Sequence, residues 1–118
     1  MIYEFYKEIP CVPGTVLTNG CFDVLHRGHI KLLERAAMLG KRLVVAINTD
    51  ESVRQLKGPS RPFNELRDRI EVIAALRCVD VVTSFSEPNV SLVIRFVRPH
   101  CWVKGGDYTL DSLDKNEV

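Results

Sequence analysis

The sequence predicts an α/β domain built around a parallel sheet, and two observations carry that prediction. Short runs of β-branched residues alternate with longer segments of helical period, which is the pattern of βαβ units. The run at residues 43–47 is apolar throughout, as in a strand that is covered on both faces. The 118 residues, 46% hydrophobic and 26% charged, fit a single domain with one core.

The elements follow one another without an internal repeat or a linker, after an N-terminal arm at residues 1–12 and before a polar tail at residues 109–118. In chain order the pattern predicts a strand at 15–18, a helix at 28–39, a strand at 43–47, a short helix at 49–56, a helix at 64–76, a strand at 79–82, a helix at 89–97 and a strand at 101–103.

Local signals support the helix boundaries. Gly40 supplies a stop after the first helix, and Thr49 and Asp50 can cap the second. Asn64 is placed to be the N-cap of the third helix, whose apolar residues recur at helical spacing. The segment before it, residues 57–62, holds two prolines and a glycine and therefore cannot be regular.

A site is expected beyond the carboxyl ends of the strands, where open parallel sheets bind ligands. The turns at 18–29, 48–50 and 104–107 leave those ends, and the basic segment 57–61 lies on the same side. Four polar, glycine-containing or basic segments therefore converge on one edge of the sheet.

The composition argues against several classes of function. Sixteen basic and 15 acidic residues leave a net charge of +1, which gives no reason to expect a nucleic-acid or membrane partner. No apolar run approaches the roughly 20 residues that cross a bilayer. The N-terminus carries acidic residues and lacks the apolar core of a secretory signal, so a cytoplasmic protein is expected.

The cysteines are expected to be reduced thiols rather than disulfide partners. Cys11, Cys21, Cys78 and Cys101 are scattered and form no CxxC pair. Three of them lie beside or within apolar runs, as buried free thiols do. Core thiols in a reducing compartment are therefore predicted.

The segment 19–29, NGCFDVLHRGH, carries the chemistry. It lies between a strand and a helix, where unpaired backbone N–H groups and the helix dipole favour an anion. His26 and His29 are three residues apart at the helix start and so project to the same side. Gly28 between them permits a close approach by backbone or phosphate. The segment therefore predicts a phosphate-binding turn.

Two other interpretations of the histidines stay open at this point. They could form half of a zinc site with Cys21 as a third ligand, although the remaining ligands lack sensible spacing. They could also merely cap or pack the helix, which would be the ordinary role of a single histidine there.

The stretch GCFDVLHRGH resembles the GxFDxxHxGH signature of the cytidylyltransferase-like nucleotidyltransferases, over about residues 16–108. Within that superfamily, TNGCFD, AINTDESVRQLKG, RPFN, LRCVDVV and VKGGDY are most similar to the heptose 1-phosphate adenylyltransferases of ADP-heptose synthesis for lipopolysaccharide. The resemblance implies a Rossmann-like fold with three α/β/α layers. It also implies transfer of AMP from ATP to a sugar 1-phosphate, with release of pyrophosphate.

The resemblance assigns roles to particular residues. The catalytic residues would be His26 and His29, which hold the triphosphate, and Lys57, which closes over it. The nucleotide would be bound by Gly20, Cys21, Phe22, Gly28, Arg69, Gly105, Gly106 and Asp107. The acceptor would be bound by Asn19, Asp23, Asp50 and Lys104.

Several of these assignments have ordinary structural alternatives. Lys57, like Arg61 in the same Pro/Gly segment, could simply be solvated, and Arg69 could be a surface residue of an amphipathic helix. Asp23 could brace the phosphate turn instead of meeting a ligand, and Asp50 is equally suited to capping a helix.

The chemistry of the reaction agrees with this set. In-line attack on phosphorus needs positioning and cationic stabilisation more than a covalent nucleophile. The attacking sugar-phosphate oxygen is already negative, so no strong general base is needed. Mg²⁺ is expected to arrive with ATP and to bridge phosphate oxygens, with few protein ligands and no dedicated metal site.

One feature of the family is missing. Its members continue to an S-T-T or S-S-T helix start that binds the nucleotide phosphates, and this motif does not occur here. The chain is thus expected to be C-terminally truncated relative to the family. An edge exposed by the missing part would favour a homodimer or a higher homo-oligomer.

Two further functions remain open beside the adenylyltransferase. One is a CTP-dependent transferase that acts on glycerol 3-phosphate or a similar alcohol phosphate. The other is a nucleotide-binding module without turnover, which the missing motif favours.

Overall fold

The computed structural model of the protein describes residues 1–104, and its centre is a four-stranded parallel sheet of order β3-β2-β1-β4. In chain order the elements are a 3₁₀ turn Tyr6–Glu8, β1 Thr15–Gly20, α1 Arg27–Ala37, β2 Arg42–Asn48, α2 Asp50–Lys57, α3 Leu66–Ala74, β3 Val81–Phe85, α4 Ser91–Val97 and β4 Cys101–Lys104. The predicted α/β class and the parallel sheet are confirmed.

The register of the sheet brings the carboxyl ends of the strands together. β1 pairs with β2 on one side, Gly20 opposite Ile47, and with β4 on the other, Asn19 opposite Lys104. β2 in turn pairs with β3, with Asn48 opposite Phe85. The turns that leave these ends therefore face one edge, as the alternation of elements predicts.

Helices cover both faces of the sheet, so the central strands are buried on both sides. One core cluster packs α4 and the 3₁₀ turn against the sheet, and includes Leu17, Val44 and Val93. The other packs α1 and α3 against the opposite face, and includes Val45 and Leu33. The three layers implied by the family resemblance are thus present.

The predicted N-terminal arm is part of the fold. Ile2 forms a parallel bridge to Val82, the backbone N–H of Tyr3 donates to the Val82 carbonyl at 2.9 Å, and that of Val82 donates to the Met1 carbonyl at 2.9 Å. The side chain of Tyr6 is buried in the core. Residues 1–3 therefore cover the outer edge of β3.

Several predicted boundaries differ from the observed ones by one to three residues, and two of these differences have tertiary causes. The third strand begins at Val81 and not at Val79, because Asp80 turns its carboxylate back to accept the Leu43 N–H at 2.8 Å. The N-cap of α3 is Glu65, with no side-chain cap, because the Asn64 side chain donates to the Asp23 carbonyl at 2.6 Å instead.

The cysteines are free, but they are not core thiols. Cys11 is exposed, and the other three are half-buried at the margins of the core. Apolar neighbours in sequence thus overestimate the burial of these thiols.

None of the helices found within residues 1–104 has the length and apolar character needed to cross a membrane.

Gly40, in the turn after α1, lies where a side chain does not fit. A Cβ there would run into the Gly14 carbonyl oxygen and would lie 2.7 Å from a methyl group of Val16. We predict that Gly40→Ala lowers the free energy of unfolding by about 1–3 kcal/mol, because backbone must move to admit the methyl group. Met38→Ala, at an exposed position in the same turn, should change it by less than about 0.5 kcal/mol. Urea denaturation measures both, and equal stabilities would contradict the steric argument.

Candidate active site

A cavity of about 350 Å³ opens at the carboxyl ends of β1 and β2. It is lined by Asn19, Gly20, Cys21, Phe22, Asp23, Val24, His26, His29, Asn48, Leu56, Lys57 and Arg61. The turn after β1, the end of β2 and the basic segment after α2 thus meet, as predicted. We call this the first cavity.

The two histidines start α1 through a reciprocal pair of hydrogen bonds. His26 is the N-cap, and its Nδ1 accepts the Gly28 N–H at 3.0 Å. The Nδ1 of His29 accepts the His26 N–H at 3.1 Å. This is a capping box in which imidazoles replace the usual hydroxyl and carboxylate. The helix-capping interpretation of the histidines is therefore correct, and both side chains also line the first cavity.

The capping bonds fix the tautomer of each imidazole. A neutral histidine has one donor and one acceptor nitrogen, and both Nδ1 atoms accept here. The proton of His26 and of His29 therefore resides on Nε2, at the far side of each ring from the capping bonds. The ring centroids are 4.0 Å apart, so the two imidazoles are neighbours at the start of α1.

Gly28 and Phe22 hold the rings in position. A Cβ on Gly28 would lie 2.7 Å from Cε1 of His26, so the ring occupies the space that only glycine leaves open. Phe22 is buried, and its ring meets that of His29 edge-on with the centroids 5.6 Å apart. The close approach predicted at Gly28 is thus made by the His26 ring itself.

Two cationic side chains line the first cavity together with the histidines. Lys57 is the last residue of α2 and Arg61 follows in the irregular segment, and both line the first cavity. Arg61 forms an ion pair with Asp23, its Nε 2.7 Å from Oδ2, and its guanidinium lies over the Phe63 ring. The sequence-based assignment overlooked Arg61, because a basic residue in a Pro/Gly segment is ordinarily solvated. Its position four residues after Lys57 was the available signal.

Asp23 braces the site. Its carboxylate is buried and accepts the N–H groups of Phe63 and Asn64 at 2.8–2.9 Å, besides the Arg61 guanidinium. Burial alone would raise the pKa of Asp23, but the backbone donors and Arg61 outweigh it and lower that pKa below its ordinary value. Asp23 therefore ties the irregular segment to the turn after β1, which is the structural alternative to a substrate contact.

The structure corrects the expectation for Arg69. This side chain is 2% exposed and does not line the first cavity. Its guanidinium donates to the carbonyl oxygens of Cys21 at 2.8 Å, Asn48 at 2.7 Å and Asn64 at 3.0 Å. A group committed in this way supports the site from behind and is not placed to bind a phosphate.

Asp50 is the fourth partner of that guanidinium. Its Oδ1 lies 2.6 Å from Nη2 of Arg69, and the N-cap of α2 is Thr49, whose hydroxyl accepts the Ser52 N–H. Asp50 does not line the first cavity either. The substrate role predicted for it is therefore replaced by an ion pair with Arg69.

The remaining predicted residues divide by location. Asn19, Gly20 and Cys21 line the first cavity, and the Asn19 side chain also accepts the Trp102 indole N–H at 2.8 Å. Lys104 ends β4 beside Asn19 but does not line the first cavity. Gly105, Gly106 and Asp107 lie outside the described residues.

Asn48 is a lining residue that the sequence did not single out. It is buried, and its amide donates to the Ser52 hydroxyl at 2.9 Å. Its position at the end of a buried strand was the signal that could have found it.

Within residues 1–104 no group of three or more His, Cys, Asp or Glu side chains is arranged to hold a metal ion. The two carboxylates nearest the first cavity, those of Asp23 and Asp50, are engaged by Arg61 and Arg69.

The sheet and the first cavity together define an α/β domain in which the turn between the first strand and the first helix lines a cavity at the carboxyl ends of the strands. The chain belongs to the cytidylyltransferase-like family, whose pattern matches residues 17–118.

Several proteins of known name are similar to this chain. D-beta-D-heptose 1-phosphate adenylyltransferase of Bordetella bronchiseptica is 58% identical over 104 residues, which are 87% of this chain and 64% of that protein. Bifunctional protein HldE of Vibrio cholerae serotype O1 (strain M66-2) is 56% identical over 98 residues, 83% of this chain and 21% of that protein.

A solved structure shares the fold. The crystal structure of the lipopolysaccharide core biosynthesis protein from Thermoplasma volcanium is 28% identical, with a TM-score of 0.73 over 87% of this chain and 83% of that one. The chain thus spans somewhat less than two thirds of the Bordetella relative and about a fifth of the bifunctional one.

The tautomers can be tested directly. We predict that the neutral forms of His26 and His29 carry their proton on Nε2, whereas neutral His100 carries it on Nδ1, because its Nδ1 faces the Thr15 carbonyl at 3.1 Å. Long-range ¹H–¹⁵N correlation spectra of the imidazoles distinguish the two forms. His100 is the internal control, and the same tautomer in all three rings would refute the capping geometry.

The role of Asp23 predicts a pH dependence of stability. Because its pKa in the folded protein lies below the ordinary 3.8, the ionised carboxylate stabilises the fold above that pH and loses its effect as the pH falls further. Asp23→Asn should lower the free energy of unfolding by about 2–4 kcal/mol at pH 7.

The difference from wild type should shrink as the pH falls below about 4. Glu71→Gln, at an exposed position on α3, is the control and should show neither effect. Denaturation curves between pH 3 and pH 7 give the answer. A loss at Asp23 that is independent of pH would mean that its charge is unimportant.

Proposed function

We propose that the protein is the nucleotide-transferring part of a heptose 1-phosphate adenylyltransferase, and that it transfers AMP from ATP to the sugar phosphate. The observation that carries the proposal is the pair of imidazoles in the first cavity, each fixed as an Nε2–H donor by its own capping bond. The 58% identity to a heptose 1-phosphate adenylyltransferase supports the choice of substrates.

The residues suit a phosphoryl-type transfer. An anionic oxygen of the sugar phosphate attacks the α-phosphorus of ATP and forms the new P–O bond. The bond from that phosphorus to the bridging oxygen breaks, and pyrophosphate leaves with both electrons of that bond. No proton has to be removed from the nucleophile, so positioning and charge stabilisation supply the rate.

The chain divides these tasks between two sets of groups. His26 and His29 aim neutral N–H donors at the phosphate oxygens that gain charge, and donors fixed in advance need no reorganisation during the reaction. Lys57 and Arg61 bring the positive charge that attracts the triphosphate. Mg²⁺ bound by the phosphates would neutralise part of their charge.

The contacts of His26, His29 and Cys21 favour this function over a zinc site. In each histidine the Nδ1 is occupied by a backbone N–H, and Cys21 contacts the Asn48 amide oxygen at 3.8 Å. Three zinc ligands would have to abandon or reorient these contacts. Metal analysis of protein purified without chelator gives an independent check.

Substitution of His26 separates catalysis from folding. Asparagine is a good N-cap, so His26→Asn keeps the acceptor for the helix start and removes only the distal donor. We predict that it lowers kcat for pyrophosphate release about 100-fold or more, with little loss of thermal stability. His100→Asn, which alters an imidazole outside the first cavity, should leave kcat within about twofold.

The assay uses the full-length protein with ATP, Mg²⁺ and heptose 1-phosphate, and a parallel panel with CTP and glycerol 3-phosphate. Pyrophosphate release only with ATP and heptose 1-phosphate supports the proposal. Release only with CTP and glycerol 3-phosphate would assign the CTP-dependent activity instead. Saturable ATP binding without product, unaffected by His26→Asn, would mean a binding module.

A further inference from the structure

A second cavity, of about 490 Å³, lies at the carboxyl end of β3 on the other side of the Asn48–Thr49 peptide from the first. Asn48 lines the first cavity and Thr49 the second. The residues of the second cavity that matter here are Tyr6, Thr49, Ser84, Phe85, Ser86 and Glu87. Its volume is in the range of small-molecule sites.

The two cavities differ in charge. The first is lined by two histidines, a lysine and an arginine whose partner is Asp23. The second carries the carboxylates of Glu4 and Glu87, several hydroxyl groups and one cation, Lys7, whose ammonium lies over the Phe96 ring. An acidic, hydroxyl-rich wall disfavours a phosphate and suits an uncharged ligand with many hydroxyl groups.

Glu87 is incompletely satisfied. Its Oε2 accepts the Tyr6 hydroxyl at 3.0 Å, but its Oε1 is buried and has no hydrogen-bond partner within the described part of the chain. A buried carboxylate oxygen without a donor costs free energy that a ligand hydroxyl could recover. No ion pair with Glu87 is found among residues 1–104.

Tyr6 keeps its proton in this arrangement. Burial raises the pKa of the Tyr6 hydroxyl, and the hydrogen bond and charge of Glu87 raise it further. The tyrosine therefore remains a donor to Oε2, which holds the Glu87 carboxylate at the wall of the second cavity.

We propose that the second cavity binds the hydroxyl-bearing part of the acceptor sugar, with Glu87 accepting a sugar hydroxyl, while the phosphate of the same molecule lies in the first cavity. This inference rests on the proposed function. Neighbouring strands are about 4.8 Å apart, so the ends of β1 and β3 are separated by roughly 10 Å. A sugar 1-phosphate is of that length, and the aromatic wall of Phe85 suits its C–H face.

The test compares Michaelis constants in the full-length protein. Glu87→Ala is expected to raise KM for heptose 1-phosphate about tenfold or more, because a hydrogen bond to a charged group is lost, while KM for ATP and kcat stay within about twofold. Glu8→Ala, at an exposed glutamate of the 3₁₀ turn that holds Tyr6 but does not line the second cavity, is the control. An unchanged KM for the sugar phosphate, or an equal rise for both substrates, overturns the proposal.

A binding measurement on the unaltered protein keeps the proposal testable if Glu87→Ala fails to fold. Backbone amide shifts are followed during titration with heptose 1-phosphate and, separately, with inorganic phosphate. The sugar phosphate should move the amides of Ser84, Ser86 and Glu87, and inorganic phosphate should move only those of the first cavity. Absence of any shift at these three amides overturns the proposal.

The two proposals fail in distinguishable ways. If no pyrophosphate is released from any nucleotide, the transferase function fails, and the titration still decides whether the second cavity binds a sugar. If pyrophosphate is released but Glu87→Ala behaves like the wild type, the transferase function stands and the sugar site is wrong.

Discussion

The buried guanidinium of Arg69 is the constraint on which the site depends. It reaches from α3 to the carbonyl oxygens that end β1 and β2, at Cys21 and Asn48, and to the carboxylate of Asp50. Burying a cation is costly unless its donors are satisfied, and these three acceptors together with the Asn64 carbonyl accept four hydrogen bonds from the guanidinium. The strand ends, the start of α2 and the start of α3 are thereby held in one arrangement, on which the histidine-capped turn is built.

Much of this architecture could be predicted, because it follows from local chemistry. Residues 43–47 are apolar throughout, and only a strand buried on both faces tolerates that pattern in a short segment. Gly40 predicted that the first helix ends near this point, and α1 ends three residues earlier, at Ala37. The turn at residues 19–29 could also be placed, since a strand end followed by a helix start has few alternatives. The cavity at that point followed from topology alone.

What the sequence could not supply depends on contacts between distant residues. Asn64 has the chemistry of an N-cap, yet Asp23, 41 residues away, recruits it. Arg69 was assigned to a ligand because its partners lie 21 and 48 residues away. One local signal was available, since Arg69 falls between Leu66 and Ile73 on the apolar face of α3, where an exposed cation would not be expected. No local pattern in the sequence predicted that Oε1 of Glu87 is buried without a hydrogen-bond partner in the described part of the chain.

The backbone conformation of Phe22 limits how far the stability of this protein can be raised. Its φ of 48° lies in the left-handed region, which disfavours a bulky residue and stores strain at the turn. Glycine or asparagine would relieve that strain at little steric cost. Either one would also remove the ring that contacts His29 edge-on. A substitution at this position therefore cannot both relieve the backbone strain and keep the contact that holds the imidazole. Engineering for heat tolerance should therefore begin elsewhere in the domain.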